Sequence, residues 1–354
     1  MARLFYIDNL RGVLTMLVVW HHSALAVSGL GRWYYCMTRG HEEAVSFAVL
    51  ATLLFTSEAF LTSLLFTIAG LLVPKSLQAK GVYKYLLRRI WRLGLPVLCV
   101  GLPIHHLCKW LGHRLKATKG EDEMSLGFSG PGVAWFQLWL LTFECFWVLL
   151  RGRLKFGKGV GRWTLALGIL SLALLQLAMD RILARPMAGL LPYWRGLPHH
   201  LIHTPLYFFC FLCGCLAGSP AKLRVHARPL GIACASAIVV CFVFALERTG
   251  SREERASDVV AAAIGAIMTV LICMGMSLHL LLHFQESYDS KSRLSGLADL
   301  SYAVNMLHPL LVVLFSPVVE ALPLGLFGRC VLLWTLSTCF SIASAGLVRS
   351  LKFL

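Results

Sequence analysis

The sequence predicts an all-α, polytopic membrane protein with about ten transmembrane helices in a single bundle. Of its 354 residues, 58% are hydrophobic and only 14% are charged, whereas a typical soluble domain carries about 25% charged residues. The mean hydropathy is +0.72. The apolar residues gather in runs close to the roughly 20 residues that a helix needs to cross the hydrocarbon core. A soluble enzyme is therefore excluded.

The formal net charge of +16 does not predict nucleic-acid binding. The basic residues are distributed among loops, and no basic run with interleaved aromatic residues lies in a soluble domain. We therefore expect the lipid bilayer, and no nucleic acid, as a partner of the chain.

Ten apolar segments are long enough to be candidate spans. The second is long for one span and is expected to tilt or kink, while the sixth and seventh are short. We expect residues 1–354 to form one integral-membrane domain whose longest connection, 108–132, is an exposed polar loop. The segments are 10–30, 45–73, 86–107, 133–150, 163–183, 201–218, 229–246, 258–284, 298–320 and 327–348.

Lysine and arginine predict the orientation of these segments. They concentrate in alternate connections, most strongly in 74–92 and 151–162. Because cytoplasmic loops are enriched in these residues, we expect both termini to be cytoplasmic. The asymmetry does not identify which membrane the chain occupies.

The first segment is interrupted by Arg11 near its start and by His21 and His22 near its middle. At about 100° per residue, Arg11 and His22 lie on one helix face, about 16 Å apart, while His21 is turned about 100° away. Ionisable groups deep in a membrane helix are costly, so these residues are functional-site candidates. On spacing alone, an arginine that reaches the interface and a histidine bonded across helices remain the structural alternative.

This arrangement has a definite chemical use. A histidine can act as a general base near neutral pH, and an arginine can hold phosphate through bidentate hydrogen bonds. A phosphate-bearing donor with a long flexible arm would span the distance between Arg11 and His22. Asp8, three residues before Arg11, lies on the same face and can orient it.

A basic cluster opens the third segment. Arg88, Arg89 and Arg92 share one helix flank because they are three and four residues apart. From the sequence alone, the favoured interpretation is that these arginines anchor the helix at the cytoplasmic interface. The alternative is an anion site beside Arg11.

Two carboxylates and one further histidine lie inside apolar runs. Glu58 is at a depth similar to that of His22 and is its better partner candidate, whereas a neutral acid bonded across helices is the favoured interpretation of Glu144. His308 precedes Pro309, which can kink the helix. A structural use of His308 is favoured, with a supporting role at the site second.

A metal site is not predicted. Cys210, Cys213 and Cys215 resemble part of a metal motif, but they lack a second ligand pair and lie in an apolar run. Buried thiols that act as small apolar side chains explain them.

The motifs resemble those of the membrane acyltransferase-3 family. Its first-helix motif is Arg or Lys, ten residues, then His, which Arg11 and His22 match; its Arg-x-x-Arg motif at the third helix matches Arg89 and Arg92. FLTSLLFTIAGLLVPKSLQAKG, YFFCFLCGCLAG and LSYAVNMLHPLLVV are similar to the branch that contains glucan biosynthesis protein C. The similarity extends, with gaps, from residue 3 to about residue 315.

The resemblance implies a cytoplasmic acyl-CoA donor and an acceptor hydroxyl on a carbohydrate or other extracytoplasmic molecule. The acyl group would be of the acetyl or succinyl class. Arg11, Arg89 and Arg92, with Arg88 beside them, would hold the CoA phosphates. His22 would remove the proton of the hydroxyl, with Glu58 as its partner. A relay through an acyl-histidine stays open.

The chain departs from the family pattern at two places. His21 stands beside His22, which leaves two histidines to choose from, although the spacing favours His22. Asn305 stands where the family commonly has an aromatic residue. These departures concern the acceptor more than the chemistry.

Other classes of function fit parts of the pattern. A proton-coupled transporter or exporter of an acylated or anionic small molecule would use His22 and Glu58 as its proton relay. A structural membrane scaffold would need neither Arg11 nor His22.

Overall fold

The computed structural model describes residues 3–30, 33–37, 44–117, 132–151, 162–184, 203–217, 224–250 and 259–350. Every regular element in this part of the chain is a helix, which confirms the predicted all-α class. Within the described residues, seven helices are long and apolar enough to cross a membrane, and three shorter apolar helices accompany them. Together they occupy the positions of the ten predicted segments.

Eleven α-helices are numbered here in chain order. They are α1 (Phe5–Ser28), α2 (Ala44–Lys80), α3 (Val82–Arg89), α4 (Leu102–Ala117), α5 (Trp135–Leu150), α6 (Arg162–Ala184), α7 (Thr204–Ala217), α8 (Ala227–Gly250), α9 (Val259–Ser287), α10 (Arg293–Glu320) and α11 (Leu326–Ser350). A short 3₁₀ turn, Gly132–Ala134, precedes α5. Two π-helical stretches join α3 to α4, so that 82–116 forms one candidate span.

The helices extend beyond most of the predicted segments, and by the most at the second and third. Helix α2 has 37 residues and contains Pro74. Helix α4 continues to Ala117, although 108–132 is expected to be a loop. Its continuation has a packing reason, because Cys108, Leu111 and Leu115 lie against the buried cluster that includes Trp33. Residues 118–131 of the expected loop lie outside the described residues.

The π-helical stretches, Ile90–Gly94 and Val97–Gly101, flank Pro96. A proline inside a helix donates no backbone hydrogen bond, and its ring clashes with the carbonyl of the residue four positions earlier. A wider turn on either side relieves that clash. The wider turns begin directly after Arg89 and include Arg92, so they set the direction of both side chains.

Helix α1 packs against α2, α9, α10 and α11. It runs parallel to α10, since Gly12 contacts Leu294 near one end and His22 contacts His308 further along. A Cβ at Gly12 would overlap the carbonyl oxygen of Leu294. The absence of a side chain there lets the two backbones approach closely, as in other membrane helix pairs.

A second close approach joins α2 to α7, where Gly70 faces Gly214. We expect Gly70→Ala to lower the free energy of unfolding by about 1–3 kcal/mol, because the new Cβ would overlap the carbonyl oxygen of Phe211. Thermal unfolding in detergent measures this change. Gly265→Ala is the matched control, because its Cβ meets no atom within 4 Å. Equal losses in the two variants would contradict the packing argument.

Candidate active site

Arg11 lies where α1 meets the first turns of α10. Its Nη2 donates to Ser301 Oγ at 3.0 Å and to the Ala298 carbonyl at 3.5 Å. Ser301 Oγ itself donates to the Ala298 carbonyl at 2.8 Å, which leaves its lone pairs for the guanidinium. Asp8 Oδ1 is 3.8 Å from Arg11 Nη1. The guanidinium is therefore oriented by α10 as well as by Asp8.

Asp8 has a closer basic partner than Arg11. Its Oδ2 accepts from Arg3 Nε at 2.5 Å, and Arg3 also binds Asp299 at 3.0 Å. Arg3 and Asp299 are largely exposed, and exposed ion pairs contribute little to stability. Arg3 therefore links the start of α1 to α10, and Asp8 contacts both Arg3 and Arg11.

The third helix brings further arginines to the same end of the bundle, which we call the arginine end. Arg89 Nη2 lies 2.7 Å from Glu144 Oε1 on α5, and Arg89 Nε donates to Tyr85 at 3.2 Å. The charges of Asp8 and Asp299 act on Arg11 more strongly than the opposing charges of Arg89 and Arg92. Three guanidinium groups are thus gathered at this end, with carboxylates beside Arg11 and Arg89 that partly offset their charge.

Glu144 bonds across helices, as expected, and its partner is Arg89. It is completely buried, and its partner Arg89 is a guanidinium, which keeps its charge in proteins. The pair is therefore an ion pair across α3 and α5. Removing one partner would leave an uncompensated charge, so Glu144 also holds Arg89 in place.

The structure places the sequence-predicted His22 against His308 of α10. His22 Nδ1 lies 2.8 Å from His308 Nε2, and the two rings stack with centroids 4.9 Å apart. His308 Nδ1 lies 3.1 Å from the Val304 carbonyl, which can only accept. In the neutral pair, His308 therefore carries its proton on Nδ1, and His308 Nε2 accepts from His22 Nδ1. The remaining lone pair of His22 is on Nε2, the form that a general base requires.

His21 faces a different helix. Its Nδ1 lies 2.7 Å from Ser57 Oγ, and its Nε2 lies 3.0 Å from Glu58 Oε2 on α2. Ser57 Oγ donates to the Leu54 carbonyl and so accepts from His21 Nδ1. A proton must then lie between His21 Nε2 and Glu58. Glu58, expected as the partner of His22, makes an ion pair with His21.

The segment after α1 covers the histidines. Gly29 adopts a left-handed φ of 60° and ends α1, and the chain returns so that Met37 donates to the Ala26 carbonyl at 2.8 Å. The Trp33 ring stacks on His22 with centroids 4.3 Å apart. We call residues 33–37 the cover segment; they lie at the end of the bundle opposite the arginine end.

Two tyrosines fix the cover segment. Tyr35 donates to Glu320 Oε2 at 2.5 Å, and Tyr34 lies 2.7 Å from His105 Nδ1. Burial raises the pKa of Tyr34, so its phenol stays protonated and donates to His105. The two bonds tie the segment to the ends of α10 and α4 and hold Trp33 over His22.

The comparison with known families decides the class of the site. The family model described as an acyltransferase domain, the acyltransferase-3 model, matches residues 4–347. The chain belongs to this acyltransferase family. It is an integral-membrane O-acyltransferase. No curated protein and no solved structure matches the chain.

Several residues of the acyltransferase that contact the predicted site were absent from the sequence prediction. Ser301 could have been found, because it is seven residues before His308 and shares its helix face. Ser57 adjoins Glu58 but carries no signal of its own. Trp33 could not have been found, because only the return of the chain after Gly29 places it on His22.

A metal centre is not seen in the described part of the acyltransferase. Within those residues, no group of three or more His, Cys, Asp or Glu side chains lies close enough to hold a metal ion. Cys210 Sγ and Cys273 Sγ lie 3.6 Å apart and form a buried contact between α7 and α9.

Proposed function

We propose that this acyltransferase moves an acyl group from a cytoplasmic acyl-CoA to a hydroxyl group of a carbohydrate or other extracytoplasmic acceptor. The observation that supports it most is that α10 contacts Arg11 and His22 together, through Ser301 and His308. A path along α1 and α10 thus runs from several guanidinium groups to a histidine pair. Its length, about 16 Å, suits a donor whose phosphates and thioester are far apart.

The arginine end faces the cytoplasm in this proposal. Arg11 and Arg92 bind phosphate oxygens of CoA, with Arg88 at the exposed rim. Arg89 contributes positive charge to the same site while Glu144 holds it in place. Guanidinium groups suit this task because they stay charged and bind phosphate with two hydrogen bonds.

The transfer step follows from the tautomer of His22. Nε2 of His22 takes the proton of the acceptor hydroxyl, and the oxygen attacks the thioester carbonyl carbon. The tetrahedral intermediate collapses, the carbon–sulfur bond breaks, and the CoA thiolate takes the proton from the imidazolium. The products are an ester and free CoA. In the relay variant, His22 Nε2 attacks the thioester carbonyl first, and the carbon–sulfur bond breaks to release the CoA thiolate. The acceptor hydroxyl then attacks the acyl-histidine, its oxygen takes the acyl group, its proton passes to the thiolate, and His22 is regenerated.

Glu58 acts through His21 in this scheme. The His21–Glu58 pair lies beside His22, and its two members share one proton. The Glu58 carboxylate offsets the positive charge that the shared proton places on His21, a charge that would otherwise disfavour the imidazolium that forms on His22. Glu58 is therefore a positioning residue for the step.

His308 positions His22, and its replacement tests that role. We expect His308→Leu to lower kcat by about tenfold or more, because His22 loses the acceptor that fixes its tautomer. His308→Gln offers an amide oxygen in a similar place and should recover part of the loss. The measurement is kcat at several pH values in reconstituted membranes. Equal losses in the two variants, with an unchanged pH profile, would contradict the positioning role.

The donor and the acceptor are tested with the purified protein in lipid nanodiscs. Labelled acetyl-CoA and succinyl-CoA are offered with oligosaccharide acceptors, and products are identified by mass spectrometry. We expect free CoA and an acylated sugar in equal amounts. Protein that carries the acyl mass in the absence of acceptor would select the relay. Proton-driven movement of an acceptor across vesicles without any acyl donor would instead support a transporter.

A further inference from the structure

Asn305, a polar residue of α10, has no role in the transfer step proposed above. Asn305 is four residues after Ser301 and three before His308. Relative to Ser301, it is rotated by about 40°, and His308 is rotated by about 20° in the other direction. All three therefore lie in one narrow sector of α10, and Asn305 is between the residue that binds Arg11 and the residue that binds His22.

Asn305 also lies on the side of this sector that faces the third span. Tyr302, one face further round α10, donates to the Leu93 carbonyl in the first π-helical stretch at 3.2 Å, and Met306 packs against Val97. The Asn305 side chain thus projects between α1 and the span that carries Arg89 and Arg92. This is the path that the donor would follow.

The amide oxygen of Asn305 is buried and receives no hydrogen bond from any residue that the structure describes. Buried amide oxygens are costly without a donor and are rarely left so in proteins. An unpaired acceptor on the path between a phosphate site and a base indicates a ligand group with an N–H at that depth.

The pantetheine arm of an acyl-CoA carries such groups. Its first amide nitrogen is two methylene groups from the thioester sulfur, and a second amide lies further toward the phosphates. Asn305 lies three residues before His308, which is about 4.5 Å along the helix axis. That distance is comparable to the separation between the sulfur and the nearest amide nitrogen when the thioester is beside His22.

We propose that Asn305 is a specificity-determining residue that accepts a hydrogen bond from an amide N–H of the donor's arm. The proposal rests on the proposed function, since it assumes that an acyl thioester enters along α1 and α10. It assigns a recognition group to the arm, whereas the arginines recognise the phosphates.

Three acetyl donors separate these contributions: acetyl-CoA, acetyl-pantetheine without the nucleotide phosphates, and an acetyl alkyl thioester of similar length without amides. We expect Asn305→Leu to lower kcat/KM for acetyl-pantetheine relative to the amide-free thioester by about tenfold. KM should carry most of the change, because the bond forms on binding. Asn305→Gln keeps an amide oxygen and should retain part of the preference. Asn305→Ala, which adds no volume, repeats the test if Asn305→Leu does not fold.

The outcomes distinguish this inference from the function on which it rests. Arg11→Ala should change the preference for acetyl-CoA over acetyl-pantetheine, whereas Asn305→Leu should change the preference for acetyl-pantetheine over the amide-free thioester. Equal losses for all three donors in Asn305→Leu would show a structural role and overturn this inference alone. No transfer from any donor by the wild-type protein would overturn the proposed function as well.

Discussion

Replacement of His22 by alanine is expected to lower kcat for acyl transfer by about 10²–10⁴-fold, the usual contribution of a general base. The expectation rests on His22 Nδ1 donating to His308, which leaves Nε2 as the base. The effect should lie in kcat, because the phosphate site is about 16 Å away. Single-turnover transfer from labelled acetyl-CoA in nanodiscs measures it directly.

His21→Ala is the matched control, because it removes an adjacent histidine of the same helix. His21 faces Ser57 and Glu58 on α2, so we expect a loss of less than about tenfold. A large loss in His21→Ala, with near wild-type transfer in His22→Ala, would show that His22 is not the base. It would make His21 and Glu58 the catalytic pair.

Replacement of Arg11 by alanine is expected to raise KM for acetyl-CoA by about 10–100-fold. A hydrogen bond to a charged group contributes about 1.5–3 kcal/mol, and each 1.4 kcal/mol is about a factor of ten. Arg11 is held by Ser301 and Ala298, so its guanidinium is pre-oriented for phosphate. Steady-state kinetics with acetyl-CoA and acetyl-pantetheine measure the effect, which should be much smaller for the donor without phosphates.

Arg224→Ala is the control for charge alone. Arg224 is an exposed arginine that lies just before α8, and its Nη2 is 2.6 Å from Glu286 Oε1. Its removal lowers the net charge by the same amount, and we expect it to leave KM nearly unchanged. Equal effects of the two replacements would mean that the donor responds to overall charge, and would contradict a defined phosphate site at Arg11.

The shared face of Arg11 and His22 could be predicted because it depends on one helix alone. A regular helix fixes the rotation between two positions, and both residues do contact the same neighbour, α10. The ten apolar segments were predictable for a similar reason, since the thickness of a bilayer sets their length. Motif spacing was enough to identify the family, which the match over residues 4–347 confirms.

The partners across helices depend on packing, which local sequence does not encode. Glu58 and His22 are at similar depths, but the offset of about 100° between successive residues turns His21 toward α2 and His22 toward α10. The sequence could have shown that the two histidines face different helices, but not which helix each one meets. The ion pair of Arg89 with Glu144 depends in the same way on how α3 and α5 pack.

The shape and length of the third span could not be predicted from the sequence, for a different reason. Pro96 lies inside the third span, and the widened turns around it could not be placed from sequence, because several local rearrangements relieve the same clash. The continuation of α4 to Ala117 depends on the cover segment that packs against it. Both features influence the site, since one directs Arg92 and the other supports Trp33 over His22.

The most direct test of the account is the mass of the surface carbohydrate made in the presence of this chain. Glycans are isolated from cells that express the wild-type protein, the His22→Ala variant or no protein, and are compared by mass spectrometry. We predict that the wild-type sample alone carries added acetyl or succinyl groups, which mild alkali removes as expected for esters. Identical acylation in the wild-type and His22→Ala samples would contradict the account.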